Sequence, residues 1–565
     1  MEILRNNSKL EDKGKFNLGG LMHIALFIIA LGLRIVASAR IPLNANESSM
    51  LLQIPGNING TESPLSLIES LLIRFTFFLF GQSRFGARIW TILPGSLIVL
   101  LPYFIRNKIG KKLSLIIAVL VSLEPFLLTN SLQIGSNIWA ILGLSVFLIG
   151  LINNCRWLSV VSAVIILLSG RGLLPSLIML GGIVIIDRYL LKNELLIGII
   201  KNYILNTSIP WFSVAVISSL FLSAAIITGT DLSGIASTVS AYFPLHSHAY
   251  IRTASLGGLP VILISYAPLF VLLFLAYVVR FRIREKKVVI ILGSLVVFSI
   301  AWLALMPQKM YFDLVWLSMP MIVGSALYLN NIHFETRKAS DLGKFSVVLV
   351  LIASVFVSLM QFIYQGQQGL LQTNALLNIL TLVLLVGFAF AAFLSFGEGR
   401  HFLRMSRVSL LVILLIVQVS FSLRASGFSR EIHAELLWSG SIMDSQLFNN
   451  IVDGRANMKQ FVDAKIMIGV EKGVSPQISW ELRDFAISYI DEALYGPIPF
   501  RMVFTRLPEI DFRGDYIGQT IIVDRLPKWV ESPMSSLLDY DYWSWLFFRK
   551  SINETTQNYF WYALD

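Results

Sequence analysis

The chain has 565 residues, of which 55% are hydrophobic and only 14% charged, and its mean hydropathy is +0.72. That balance excludes a water-soluble globular protein for most of the length. The formal net charge of +11 could suit nucleic acid, but the Lys and Arg residues gather between apolar segments, so the basicity reads as membrane topology and no nucleic-acid partner is expected.

Basic residues precede the first apolar stretch without a small-residue cleavage site, so that segment, about Leu21 to Ala39, is expected to stay as an anchor. It delivers a polar loop, RIPLNANESSMLLQIPGNINGTESP, to the outer face. The next apolar stretch, Leu65 to Phe80, carries Glu69 and Arg74 and reads as an amphipathic helix lying on the membrane surface, within a first outer loop at about 40–88. Spans follow at about Ile89 to Ile105, Leu113 to Thr129, Ile138 to Ile152, Leu158 to Leu168, Leu173 to Ile186 and Ile209 to Ile227. Further spans cover about Leu259 to Val279, Val288 to Met306, Phe312 to Leu329, Phe345 to Ile363, Ala375 to Phe396 and Val408 to Leu423.

With the first segment, this makes about 13 crossings, an N-terminus inside and a C-terminus outside. The basic runs Arg106 to Lys112, Arg280 to Lys287 and Gly399 to Arg407 then all fall on the cytoplasmic side, as the positive-inside rule requires. After Arg424 the long apolar runs stop and Asp and Glu become frequent, so residues 1–423 read as the transmembrane domain and 424–565 as a small extracytoplasmic α/β domain. In it KIMIGV reads as a strand, SWELRDFAISYIDEAL as a helix, and FRMVFTR and QTIIVDR as two more strands.

Several polar residues stand where apolar ones would be expected. Asn46 and Glu47 follow the first helix, and a carboxylate there could take a proton from an acceptor hydroxyl, although an ordinary solvated loop Glu is the plainer reading. Glu124, in VSLEPFLL, lies within an apolar span and is expected to face a polar cavity, to be protonated, or to end a helix within reach of water. Arg171, in LLSGRGLLP, sits between two short apolar segments and could meet an anionic ligand such as a lipid phosphate. Lys309 and Tyr311, in MPQKMYFD, lie at another outer boundary and could serve the same phosphate or the substrate, or act as interfacial anchors. The loop Thr228 to Gly258 holds Asp231, His246, His248 and Arg252, a weak metal signal. The lone Cys155 excludes an intramolecular disulfide and any multi-cysteine metal cluster.

The order of these landmarks resembles the GT-C superfamily of membrane glycosyltransferases, which includes protein O-mannosyltransferases (family 39), aminoarabinose transferases and, more distantly, oligosaccharyltransferase catalytic subunits. NANESSM stands for the acidic pair after helix one, SPLSLIESLLIRFTFFLFGQSRFGARIWTILPGSLIVLLPYFIRNKIGKK resembles the surface helix, turn, Arg and basic inner loop, SGRGLLP a Lys-Gly element, and KMYFDLVWLSMP a late Lys, Tyr and Pro. The landmarks cover roughly residues 20 to 330, and beyond them only topology is shared.

The resemblance implies a GT-C fold and an inverting transfer at the outer face of the plasma membrane. The sugar would pass from a polyprenyl-phosphate donor to a protein, lipid or glycan acceptor. By position, Glu47 would be the acidic loop residue, with Asn46, Glu124, Arg171, Lys309 and Tyr311 near the substrates. The usual Asp-Glu pair is Asn46-Glu47 here, and Ser136 and Asn137 stand where many relatives have an acid. With a single outer carboxylate, no metal and no other cofactor are expected. A noncatalytic assembly subunit and a lipid flippase or transporter are the competing classes, although paired broken helices in inverted repeats do not stand out.

Overall fold

The computed structural model describes residues 18–53, 65–186, 255–281, 285–306, 309–332, 339–367, 383–388, 399–428, 435–438, 467–483, 485–490, 502–506, 516–531, 539–551 and 554–564, with a few isolated positions between them. The expected span at Ile209 to Ile227 and the residues His246 and His248 lie outside these stretches, and the expected span Ala375 to Phe396 is described only in part, the described positions being helical.

The first half runs α1 (Leu18–Arg40), α2 (Ala45–Gln53), α3 (Leu67–Phe80), α4 (Arg84–Ile109), α5 (Lys111–Ser122), α6 (Pro125–Leu132), α7 (Ile138–Asn153), α8 (Arg156–Leu168) and α9 (Leu173–Ile185). After the undescribed stretch come α10 (Gly258–Tyr266), α11 (Pro268–Phe281), α12 (Lys286–Leu305), α13 (Val315–Asn330), α14 (Ala339–Gln367) and α15 (Gly399–Leu423). Among the described residues six helices are long and apolar enough to cross a membrane, and nine if each bent pair counts as one span. The polytopic helical architecture expected from the hydropathy is therefore present.

Three spans are broken, for local reasons. Pro125 begins α6 without an N–H to offer the preceding turn, and Glu124 caps the new helix by accepting the N–H of Leu127, so α5 and α6 meet at 59°. Gly170, with φ of +62°, separates α8 from α9 at 114°. Pro268 separates α10 from α11 at 97°, so the single straight span expected over Leu259 to Val279 is two helices.

Contacts between helix ends divide the bundle into two faces. Lys108 Nζ donates to the carbonyl of Ile152, Asn153 Nδ2 to that of Phe104 at 3.2 Å and Lys112 Nζ to that of Asn330 at 3.2 Å, which gathers the basic turn, the α7–α8 turn and the end of α13 at one end. The opposite end gathers the α1–α2 loop, the start of α4, loop 133–137, turn 170–172 and the start of α13. The basic turn Arg106–Lys112 and the first loop after α1 thus lie at opposite ends of the described bundle.

The C-terminal region builds a five-stranded mixed sheet from β1 (Met467–Glu471), β2 (Ala486–Ile490), β3 (Met502–Thr505), β4 (Tyr516–Pro527) and β5 (Glu554–Leu564) in the order β2-β1-β3-β5-β4. Pairs β1–β2 and β1–β3 are parallel, and β3–β5 and β5–β4 antiparallel. The expected helix SWELRDFAISYIDEAL is corrected: among its described residues only those in α16 (Pro476–Glu481) are helical, and AISYI is β2, pairing Ile487 with Ile468. The cause is tertiary: β1 offers an edge that a longer helix would leave unpaired, and residues 486–490 pair along its whole length.

This region is joined firmly to the bundle. Arg84 meets Glu481 at 2.6 Å, Gln477 Nε2 donates to the Leu43 carbonyl at 2.7 Å, and Trp480 is buried with Leu43, Met50, Leu51 and Ile73. A second anchor is α17 (Tyr540–Phe548), whose Tyr542, Trp545, Leu546 and Phe547 belong to the main apolar core of the bundle. Behind it Arg549 Nε donates to Glu435 at 2.8 Å, and Glu435 also accepts Tyr266 Oη at 2.6 Å, all three residues being buried.

Candidate functional site

Glu47 lies on α2, whose start is a reciprocal capping box: Asn44 Oδ1 accepts the N–H of Glu47 at 2.8 Å, and Glu47 Oε2 accepts the N–H of Asn44 at 3.0 Å. Arg88, from the first turns of α4, then closes on the carboxylate with Nη2 at 2.6 Å from Oε2 and Nε at 3.0 Å from Oε1. The N–H of Ile134 adds a fourth bond, at 3.1 Å, to Oε1. The remaining Arg88 donors reach the carbonyls of Ile41 at 2.6 Å and Pro42 at 3.0 Å, satisfying the chain where α1 ends.

The side chains of Glu47 and Arg88 are 1% and 0% exposed. With water excluded and two hydrogen bonds on each oxygen, Glu47 forms a buried ion pair that holds α1, α2, α4 and loop 133–137 together, and neither oxygen is open to a substrate in this conformation. Asn46, the residue before Glu47 in the first turn of α2, is half-buried.

Arg171 sits in the 3₁₀ turn between α8 and α9. Its Nη2 meets Asp313 Oδ2 at 2.6 Å, with side-chain exposures of 17% and 1%. Asp313, which sequence reasoning passed over, is held further by Asn137 Nδ2 at 2.7 Å and by the N–H of Met310 at 2.7 Å. Asn130 on α6 fixes both neighbours of this pair, donating to the Phe312 carbonyl at 2.8 Å and accepting the N–H of Asn137 at 3.1 Å. The Phe312 ring lies 5.5 Å from the guanidinium carbon of Arg171. Tyr311 is buried in the turn that carries Asp313, and Lys309 is half-buried just before it.

Loop 133–137 therefore bridges the two pairs. Its Ile134 touches Glu47 and, three residues on, its Asn137 touches Asp313. Glu47 and Arg171 stand on the same end of the bundle, joined through one loop and two pairs.

Glu124 is placed elsewhere, fully buried at the α5–α6 break, with Oε1 lacking a hydrogen-bond partner among the described residues. Arg34, at the middle of α1, is also buried and bonds Ser131 at 2.8 Å and the Ala30 carbonyl at 3.1 Å, while its Nη2 has no hydrogen-bond partner among the described residues. A charge inside an apolar stretch of twenty residues was the available signal for Arg34.

Glu69 is the remaining acid at this end. It lies on α3 outside the spans, fully buried, and burial pushes its carboxyl up to about 8. Ser66 Oγ donates to it at 2.9 Å and the N–H of Gly135 faces it. The expected surface helix thus turns its acid inward and exposes Phe75, Phe78, Leu79 and Phe80.

No family model matches the sequence, and no curated relative matches it. Among solved structures the chain is similar to ArnT from Cupriavidus metallidurans bound to undecaprenyl phosphate, with 12% identity, a TM-score of 0.48 and coverage of 83% of this chain and 86% of that one. It is similar also to the apo state of the same protein, with 12% identity, a TM-score of 0.49 and the same coverage. At that identity and score the likeness is one of helix arrangement and says nothing of substrate or of individual residues.

Proposed function

We propose that the protein is a membrane glycosyltransferase that uses a polyprenyl-phosphate-linked sugar at the outer face of the plasma membrane, with the N-terminus cytoplasmic and the C-terminal domain extracytoplasmic. The observation that supports it most is the Arg171–Asp313 pair: a cation kept partly exposed at the bundle end opposite the basic Arg106–Lys112 turn, on a turn between two short apolar helices, with Lys309 four residues before its partner. A guanidinium fixed in that way recognises a phosphate group at headgroup depth without paying for its own ordering.

The resemblance of NANESSM, SGRGLLP and KMYFDLVWLSMP to GT-C elements supports the reaction class and its inverting outcome. The acceptor is a protein, lipid or glycan. Transfer is proposed to need no metal and no other cofactor. In this reading Asn46, Lys309 and Tyr311 line the approach, and Glu47 holds the scaffold.

A second reading, a lipid-phosphate-binding subunit without transfer, is favoured by the closed state of Glu47. One experiment separates them. Purified protein in nanodiscs is given undecaprenyl phosphate, and then a polyprenyl-phosphate sugar with candidate acceptors, with and without chelator. Binding with turnover supports the first reading, binding without turnover the second, and no binding by the wild type refutes both.

A further inference from the structure

We infer that Glu69 is a positioning residue of the Arg171 site, acting as a protonation-dependent latch that fastens the start of α3 between loop 133–137 and turn 170–172. Three observations place it there. First, Ser66, which caps α3 and accepts the N–H of Glu69 at 3.3 Å, lies directly on the backbone of Gly170: a Cβ added at Gly170 would stand 2.9 Å from Ser66 Cβ and 3.0 Å from its Cα. Second, the carboxyl itself faces the N–H of Gly135, and both Gly135 and Gly170 have positive φ, +71° and +62°, so the two turns have the tight backbone that only glycine adopts readily. Third, Gly135 lies between Ile134, which holds Glu47, and Asn137, which holds Asp313, while Gly170 precedes Arg171. Movement of the α3 start therefore disturbs both sides of the Arg171–Asp313 pair.

The carboxyl is 0% exposed and its Oε1 has no hydrogen-bond partner among the described residues. Among the described residues no cation forms an ion pair with it. The charged groups on the surrounding described elements are engaged elsewhere: Arg84 with Glu481, Arg88 with Glu47 and Arg171 with Asp313, while Arg156 starts α8 at its far end, and no charge among the described residues contributes to the Glu69 shift. Arg74, on α3 itself, is likewise absent from its causes. An ionised Glu69 is therefore stable only where water reaches it, that is, with the start of α3 lifted.

The sign follows by linkage. The closed form holds its proton up to about pH 8, whereas an opened, solvated Glu69 loses it near its ordinary 4.5. Between those values each pH unit favours opening about tenfold, and above the upper one the effect levels off.

The test is hydrogen exchange of peptides covering 133–137 and 169–173 in the full-length protein from pH 5 to 9.5, corrected for the intrinsic pH dependence of exchange. Wild type is expected to lose protection about tenfold per pH unit up to about 8 and then level off. Glu69→Gln, a neutral mimic of the latched state, is expected to be flat and protected throughout, and Glu69→Ala to be unprotected at every pH. The same pH slope in wild type and Glu69→Gln overturns the latch. If Glu69→Gln does not accumulate folded, Ser66→Ala serves instead, lowering protection while keeping the slope; a slope lost with the hydroxyl overturns the proposal.

As a statement about donor binding the latch rests on the proposed function, so undecaprenyl phosphate binding is measured in parallel. Affinity that falls with pH in wild type but not in Glu69→Gln supports the coupling. If wild type never binds while exchange keeps its slope, the functional reading fails and the latch stands.

Discussion

Replacing Glu47 with Gln separates a structural carboxylate from a catalytic one. The amide keeps the shape but accepts through one oxygen only, so of the four bonds from Asn44, Arg88 Nε, Arg88 Nη2 and Ile134 two are lost, and an N–H is turned against donors. Arg88 is then left as an uncompensated buried cation, which costs about 3–5 kcal/mol, a large share of the ~5–15 kcal/mol that keeps a typical protein folded. Arg88→Met is expected to cost at least as much, because the carbonyls of Ile41 and Pro42 lose their donors as well. The double variant is expected to cost well under the sum of the two singles, since the second substitution removes the charge that the first orphaned. Thermal unfolding followed by size-exclusion fluorescence in detergent reads all three, and turnover is measured on the folded fraction. Should Glu47→Gln melt with the wild type and yet turn over on the order of 10² to 10⁴ times more slowly, the carboxylate is the general base and the structural account is wrong.

Arg171→Met is expected to weaken undecaprenyl phosphate binding and slow transfer together, because both ground state and leaving group carry the phosphate charge; unchanged affinity in a binding assay removes Arg171 from the donor site. Glu435→Gln leaves the buried Arg549 without its counter-charge and is expected to destabilise the protein by about 3–5 kcal/mol, read as early protease release of the C-terminal region; wild-type resistance contradicts the anchor. For topology, the exposed native Cys155 sits on the turn that shares an end with Lys108, so a membrane-impermeant maleimide should spare it in intact cells. The same reagent should label a cysteine placed at the exposed Lys472 in a Cys155→Ser background, and the reverse pattern inverts the proposed orientation.

Hydropathy made most spans legible because a bilayer fixes both their length and their composition, and α4, α12, α13, α14 and α15 fall where apolar runs predicted them. Breaks inside apolar runs were less legible. Pro268 leaves hydrophobicity untouched while redirecting the chain by 97°, and only a proline rule applied against the window would have found it. The site was legible in its location but not in its pairings. Arg171 stood out as a charge in an apolar setting, whereas Asp313 looked like the end of a boundary motif until the fold brought it 2.6 Å away. The backbone engagement of Glu47 did have a local signal: Asn44-x-x-Glu47 and Ser66-x-x-Glu69 both carry the spacing of a capping box, in which a carboxylate is engaged with backbone. In the C-terminal region a short strand after a short helix was read as one long helix, since pairing with a distant strand leaves no local mark.

The broken spans also explain why the site can be rigid inside a lipid phase. A break exposes carbonyl and N–H groups that hydrocarbon cannot satisfy, so a partner has to be supplied by a neighbouring helix. Helix α15 supplies it: Ser422 Oγ donates to the Leu123 carbonyl, and Gln418 Nε2 reaches the same carbonyl at 3.5 Å and the Tyr266 carbonyl at 3.0 Å. One glutamine thus joins the break before α6 to the break after α10. From the other side Glu124 caps α6, and Asn130 carries the constraint from α6 to Phe312, Asn137 and so to Asp313. Every residue of α6 is buried, which leaves this short helix little room to shift. The partly exposed Arg171 is therefore tied, through Asp313, to a chain of polar contacts that runs from these breaks, and the breaks that interrupt the helices are what let those contacts reach it.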